Sequence, residues 1–109
     1  MKEDMSNPLQ DEVKFVFSSK LAYLDLIYRI MSELSQMKGL DRKRTLHLSM
    51  AVSEAVTNAI VHGNKENVDK NVYINILLDD KMIQVDVIDE AEKAFVYDPD
   101  IHGHIKEKN

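Results

Sequence analysis

The sequence predicts an α+β fold, a two-layer sandwich in which helices cover one face of a mostly antiparallel sheet. Apolar residues recur at helical spacing in two long central segments, which predicts two amphipathic helices. They alternate with polar residues in one segment before the helices and in two after them, which predicts three strands. The 109 residues suffice for one domain with one core, so the three strands and two helices belong to one sandwich.

The first element is a strand preceded by a polar leader. Residues 1–11 are polar and without period, so we expect a flexible leader, with residues 12–109 forming the single domain. A short strand with one face on the core follows. Its apolar positions are Val13, Phe15 and Phe17. Ser18 or Ser19 is then expected to cap the first helix.

Two helices come next. Over residues 20–38 the apolar positions follow spacings of three and four, and Gly39 ends the helix. These positions are Leu24, Ile27, Tyr28, Met31, Leu34 and Met37. Asp41 is predicted to cap a second helix that runs to about His62, where the pair 63–64 (Gly-Asn) stops it.

A hairpin follows the helices. The alternating positions of its first strand are Val72, Ile74, Ile76 and Leu78, and those of the return strand are Ile83, Val85 and Val87. The polar residues 79–81 form the turn between them. Residues 90–109 show no period, and we predict that they are irregular.

Composition excludes several functional classes. Fourteen basic and 19 acidic side chains give a net charge of −5, opposite to the charge of a sequence-independent nucleic-acid binder. The absence of cysteine excludes disulfides, thiolate zinc sites and a cysteine nucleophile. No apolar run can cross a bilayer, and the polar start is unlike a secretory signal. We therefore expect a cytoplasmic protein with no direct nucleic-acid or membrane partner.

The second helix carries a polar stripe beside its apolar stripe. At about 100° per residue, Asn58 lies about 40° and His62 about 80° from Glu54. An Asn oxygen suits Mg²⁺, which takes few protein ligands, and Glu54 could hold a hydroxyl for attack on a phosphoryl group. The alternative is that Glu54 and Asn58 are solvated neighbours and that the helix dipole favours His62.

The run from Ser53 to Asn64, SEAVTNAIVHGN, resembles the N-box of the histidine-kinase-like ATPase superfamily. It is most similar to the E-A-x-x-N-A-x-x-H-G pattern of the bacterial anti-sigma-factor serine kinases. The resemblance covers about residues 12–100 and implies the Bergerat-type ATPase fold. It further implies an anti-sigma regulatory factor that binds ATP and Mg²⁺.

The resemblance also implies roles for single residues. Asn58 would coordinate Mg²⁺ at the nucleotide phosphates, and Glu54 would be the catalytic base toward a serine hydroxyl of a protein substrate. Asp89 stands where the family's D-x-G-x-G motif places the Asp that binds the adenine amino group. His62 and Gly63 would belong to the same cofactor site.

The sequence departs from this pattern after Asp89. Ala91 and Lys93 stand where the family pattern has its two glycines. Glycine adopts positive φ readily, whereas other residues do so only at a cost in free energy. The chain also ends at Asn109, before the second glycine-rich motif, so we expect the C-terminal part of the fold to be missing. A truncated chain, a fragment of a longer product and a naturally short relative all fit these departures. We therefore expect binding of ATP to be weakened or lost.

Two functions fit these observations. The first is a serine-protein kinase-like regulator of a sigma factor or its anti-anti-sigma antagonist. The second is a degenerate, non-catalytic module that acts by protein contacts in stress or two-component signalling. The sequence leaves enzymatic activity open between them. A homodimer is expected, because the missing strands would leave an unpaired sheet edge.

Overall fold

The structure is a computed structural model that describes residues 11–80, 82–91, 94–97 and 105–108. The predicted leader lies outside the described residues except for Asp11, which already begins the first strand. The elements, in chain order, are β1 (Asp11–Ser18), a short 3-10 turn (Leu21–Tyr23), α1 (Leu24–Met37), α2 (Arg42–Asn58), a π-helical turn (Ala59–Gly63), β2 (Asn71–Leu78), β3 (Ile83–Ile88), β4 (Ala94–Tyr97) and β5 (Ile105–Lys108).

The described strands form one antiparallel sheet in the order β1-β2-β3-β4-β5. The hairpin is confirmed, with Ile76 opposite Val85. The prediction that residues 90–109 are irregular was wrong, because β4 and β5 lie there. Four-residue strands are too short to show a period, and they form by pairing with a neighbouring strand: β4 pairs with β3, as between Phe95 and Val87, and β5 pairs with β4.

The strands β4 and β5 extend the described sheet beyond β3. Because β4 pairs with β3 and β5 pairs with β4, the edge strands of the described sheet are β1 and β5. The new pairs leave the two-layer architecture unchanged, since they only extend the sheet sideways.

The core lies between one face of the sheet and the two helices, as predicted. In β2 and β3 every second residue is buried, which shows that the helices cover one face only. The buried apolar residues are Ile27, Met31, Leu48, Val52, Ala55, Val56, Ala59, Ile60, Val72, Ile74, Ile76, Leu78, Ile83, Val85 and Val87. Within the described part of the chain, neither helix is long and apolar enough to cross a membrane.

The predictions made for the ends of the helices were partly correct. Asp41 caps α2, since its Oδ1 accepts a hydrogen bond from the Arg44 amide at 2.8 Å. Gly39 follows α1 with a φ of 80°, a conformation that favours glycine. The predicted cap at Ser18 or Ser19 was wrong, because both hydroxyls donate instead to carbonyls of the segment before β2. Met37 is 77% exposed and lies outside the core.

Candidate functional site

Three predicted site residues lie along the C-terminal half of α2 and the turn that follows. Glu54 is exposed, Asn58 is half-buried at the last position of α2, and His62 is exposed. The apolar stripe beside them is buried, with Val52 and Val56 fully enclosed. The structure therefore places Glu54 and Asn58 at the margin between the core and solvent, where side chains can meet a ligand.

The helix widens immediately after Asn58. The Asn64 amide donates to the Ala59 carbonyl five residues back, at 2.8 Å, as expected in a π-helical turn. Because this turn is wider than an α-helical turn, the wheel position predicted for His62 does not hold. Such single π turns are frequent at functional sites.

The helical segment ends at Gly63 with Asn64 as its C-cap, as predicted, but Gly63 lacks the positive φ that is typical of a helix-ending glycine. Among the described residues, the only glycine with positive φ is Gly39, whereas the left-handed residues after the π turn are Lys65 and Glu66, each at 57°. Gly63 instead makes room for Asp89, because a Cβ built on it would overlap the Oδ2 and Cγ atoms of that residue. The absence of a side chain at Gly63 thus allows the end of the helix to lie directly against the Asp89 carboxylate.

Asp89 follows β3 and is only 4% exposed. Its Oδ1 accepts a hydrogen bond from the Ala91 amide at 2.9 Å, which ties the carboxylate to the next turn. The structure thereby brings two predicted residues together, Gly63 and Asp89, although 25 residues separate them in the chain.

The backbone cost expected at Ala91 is absent. Among the described residues other than glycine, only Lys65 and Glu66 have positive φ, so Ala91 occupies an ordinary conformation. A glycine is therefore unnecessary at this position for backbone reasons. The second replaced glycine, at Lys93, lies outside the described residues.

Sequence reasoning missed a buried polar group beside this site. Asn64 is 0% exposed, and its Nδ2 donates to the Ser19 hydroxyl at 2.8 Å and to the Asn71 carbonyl at 2.9 Å. Its Oδ1 accepts from the Glu90 amide at 2.8 Å. No local pattern signals this network, since its members come from four separate segments.

The residues present fit a magnesium–nucleotide group better than a metal held by protein alone. Among the described residues, no three His, Asp or Glu side chains cluster as metal ligands would. Mg²⁺ commonly takes one or two protein oxygens and fills its shell with water and substrate phosphate. The half-buried carboxamide of Asn58 can supply such an oxygen. Because Gly63 has no Cβ, the adjoining turn can lie close to Asp89.

The described residues thus form a two-layer α+β domain in which Asp89, directly after the central strand β3, lies against the π turn that follows α2. The family model for the histidine kinase-like ATPase domain matches residues 17–104. The chain belongs to this family. The match confirms the resemblance read from residues 53–64.

Similar curated proteins carry the name anti-sigma F factor. One from Bacillus cereus is 30% identical over 101 residues, covering 90% of this chain and 62% of the relative. Others from Bacillus velezensis and Bacillus subtilis are 48% and 46% identical over 44 residues, which is 40% of this chain and 30% of each relative. The chain thus spans less than two thirds of the length of these relatives.

Proposed function

We propose that this chain is an anti-sigma regulatory factor that binds ATP with Mg²⁺ and acts as a serine-kinase-like regulator of a sigma factor or of its anti-anti-sigma antagonist. The observation that carries the nucleotide part is the contact of Gly63 with Asp89, which joins the end of the N-box helix to the carboxylate after β3. The family match and the names of the relatives support the regulatory part.

Each site residue has a distinct role in this proposal. Asp89 accepts a hydrogen bond from the amino group of adenine, and Asn58 holds Mg²⁺ through its side-chain oxygen. The metal, when bound, neutralises charge on the phosphates. Glu54, exposed one turn before Asn58, accepts the proton of a serine hydroxyl on a protein substrate. His62 and Gly63 flank the nucleotide from the π turn.

The direct test is calorimetric titration of the 109-residue chain with ATP in the presence and absence of Mg²⁺. We expect binding that requires Mg²⁺ and that Asn58→Ala abolishes, because the variant leaves the metal with only phosphate and water. Asn75→Ala is the matched control: Asn75 is also half-buried but lies on the sheet face opposite the helices. Equal binding by both variants would contradict the proposed role of Asn58.

The expected affinity is modest, because the replaced glycines limit the close approach of backbone to the nucleotide. The ordinary backbone of Ala91 removes one part of that penalty. No specific observation favours the alternative of a module that acts by protein contacts alone, so we retain nucleotide binding in the proposal.

The proposed partners are a sigma factor and an anti-anti-sigma protein, and we also propose a homodimer in the cytoplasm. Immobilised chain incubated with purified sigma factors and candidate antagonists, with and without ATP and Mg²⁺, tests the partner directly. Retention of one of these proteins is expected. Failure to retain any of them would point to a different signalling partner.

A further inference from the structure

The carboxamide of Asn64 has a determined orientation. The Ser19 hydroxyl donates its hydrogen to the Lys70 carbonyl at 2.6 Å, so it can only accept from Asn64. The Asn71 carbonyl also only accepts, whereas the Glu90 amide only donates. These partners require Nδ2 toward Ser19 and Asn71 and Oδ1 toward Glu90. Both amide hydrogens and the side-chain oxygen are therefore used.

Asn64 is itself held firmly by the main chain. Its amide donates to the Ala59 carbonyl at 2.8 Å, and its carbonyl accepts from the Asn67 amide at 3.0 Å. The side chain is completely buried, so water cannot replace its partners. A fixed, buried carboxamide is suited to setting the position of whatever it contacts.

One of the groups that Asn64 contacts is the main chain directly after Asp89. The Glu90 amide donates to Asn64, and the Glu90 carboxylate accepts from the Asn71 amide. These two contacts attach the main chain of Glu90 to Asn64 and its side chain to the start of β2. Asp89 therefore stands between the end of β3 and a residue that is fixed at two points.

Gly63, which precedes Asn64 in the chain, lies directly against the carboxylate of the same Asp89. A Cβ at Gly63 would occupy the place of the Asp89 carboxylate oxygen Oδ2. Two consecutive residues at the end of the π turn thus act on Asp89 in different ways: Gly63 leaves room for the carboxylate, and Asn64 holds the main chain directly after Asp89.

We propose that Asn64 is a positioning residue for Asp89 and sets how strongly the site prefers adenine over other bases. This inference rests on the proposed function, in which Asp89 binds the adenine amino group. Asn64 does not touch the base; it acts through Glu90. If Asn64 only stabilised the fold, by connecting the loop before β2 to that strand, its substitution would weaken the binding of every nucleotide equally.

The test compares ATP with inosine triphosphate, which has a carbonyl in place of the amino group of adenine. Dissociation constants of both nucleotides, each with Mg²⁺, are measured on the 109-residue chain and its variants. The wild-type chain is expected to prefer ATP by at least about tenfold, since a hydrogen bond to a charged group contributes at that level. Asn64→Ala should weaken ATP binding and bring the preference close to one.

Ser19→Ala is the matched control. It breaks the same network at Ser19, which is 1% exposed, but keeps the Oδ1 contact with Glu90. It should lower stability toward denaturant and retain the preference for ATP. If Asn64→Ala does not fold, Asn64→Ser provides the same comparison, with a hydroxyl in place of the carboxamide.

The outcomes separate the inference from the proposed function. A wild-type chain without preference for ATP would overturn the role of Asp89, and this inference with it. A wild-type preference that survives in Asn64→Ala, or that Ser19→Ala removes equally, would overturn the positioning role alone. Loss of the preference in the Asn64 variant only would support it.

Discussion

Glu54 and Asn58 stand one helical turn apart but differ in exposure, and this difference suits different tasks. Glu54 is exposed and can meet a protein substrate, whereas Asn58 is half-buried at the end of α2, where a small cofactor can be enclosed. A proton acceptor for an incoming serine must be reachable from outside, while a metal ligand benefits from a fixed surrounding. Under the proposed function, this gradient of exposure along the helix would separate the protein substrate from the cofactor.

This separation predicts that Glu54→Gln keeps ATP binding and loses phosphoryl transfer. The carboxamide is nearly the same shape as the carboxylate but cannot accept the serine proton. Transfer of labelled γ-phosphate to a candidate antagonist protein measures the loss. Glu33→Gln, at an exposed position of α1, is the control and should leave transfer unchanged. Transfer at the wild-type rate in the Glu54 variant would remove Glu54 from the mechanism.

Gly63→Ala is expected to displace the Asp89 carboxylate. The added methyl group would overlap Oδ2 and Cγ of Asp89, so the carboxylate must leave its place. We expect the free energy of unfolding to fall by about 1–3 kcal/mol, as for overpacked sites, and ATP affinity to fall at least about tenfold. Urea denaturation and calorimetric titration measure the two effects.

Gly39→Ala separates steric overlap from backbone strain. Gly39 has a φ of 80° and open space around its Cβ position. This variant should lose about 1 kcal/mol of stability through backbone strain and retain ATP affinity. Equal loss of ATP affinity in both glycine variants would mean that the Gly63–Asp89 contact has no special part in binding.

At the scale of elements, α2 depends on its N-cap for a correct start. Asp41→Ala removes the acceptor of the Arg44 amide and should lower the free energy of unfolding by about 1 kcal/mol. The control is Asp25→Ala, which breaks an exposed ion pair with Arg29 on α1 and should cost about 0.5 kcal/mol or less. Thermal or urea unfolding compares them. A larger loss in the Asp25 variant would contradict the importance of the cap.

The helices and the hairpin could be predicted as elements, because each repeats its own period over enough residues. The buried alternation of β2 and the burial of Leu48, Val52 and Ala55 on α2 follow that period directly. The π turn at Ala59–Gly63 could not be predicted, since its residues fit an α-helix equally well. The π turn also contacts a distant part of the chain, since Gly63 lies against Asp89. Such contacts leave no local pattern in the sequence.

At the scale of the whole molecule, β1 is an eight-residue strand with a paired neighbour on one side only within the described sheet. Such an edge offers main-chain groups to a second chain. We therefore predict a dimer through β1 in sedimentation at micromolar concentration. Val16→Lys, at a position 58% exposed, should shift the chain toward monomer because charge on an edge strand opposes pairing.

The control for this prediction is Leu26→Lys, which introduces the same charge at a 46% exposed position of α1. It should leave the sedimentation coefficient unchanged. Sedimentation of the wild-type chain as monomer only would contradict the predicted dimer, and equal effects of both lysines would remove β1 from the interface.

The sequence alone predicted the layer architecture, the cap at Asp41 and the placement of Glu54 and Asn58 on the second helix, because the patterns behind these predictions involve neighbours within a few positions of the chain. Only the tertiary structure decided the pairing of β4 and β5 and the burial of Asn64 against Glu90, 26 residues away. It also decided why position 63 is glycine. Contacts between distant segments leave no period in the sequence, so the contact of Asp89 with Gly63 at the end of the helix could not be predicted, although the resemblance had already implied a role for Asp89.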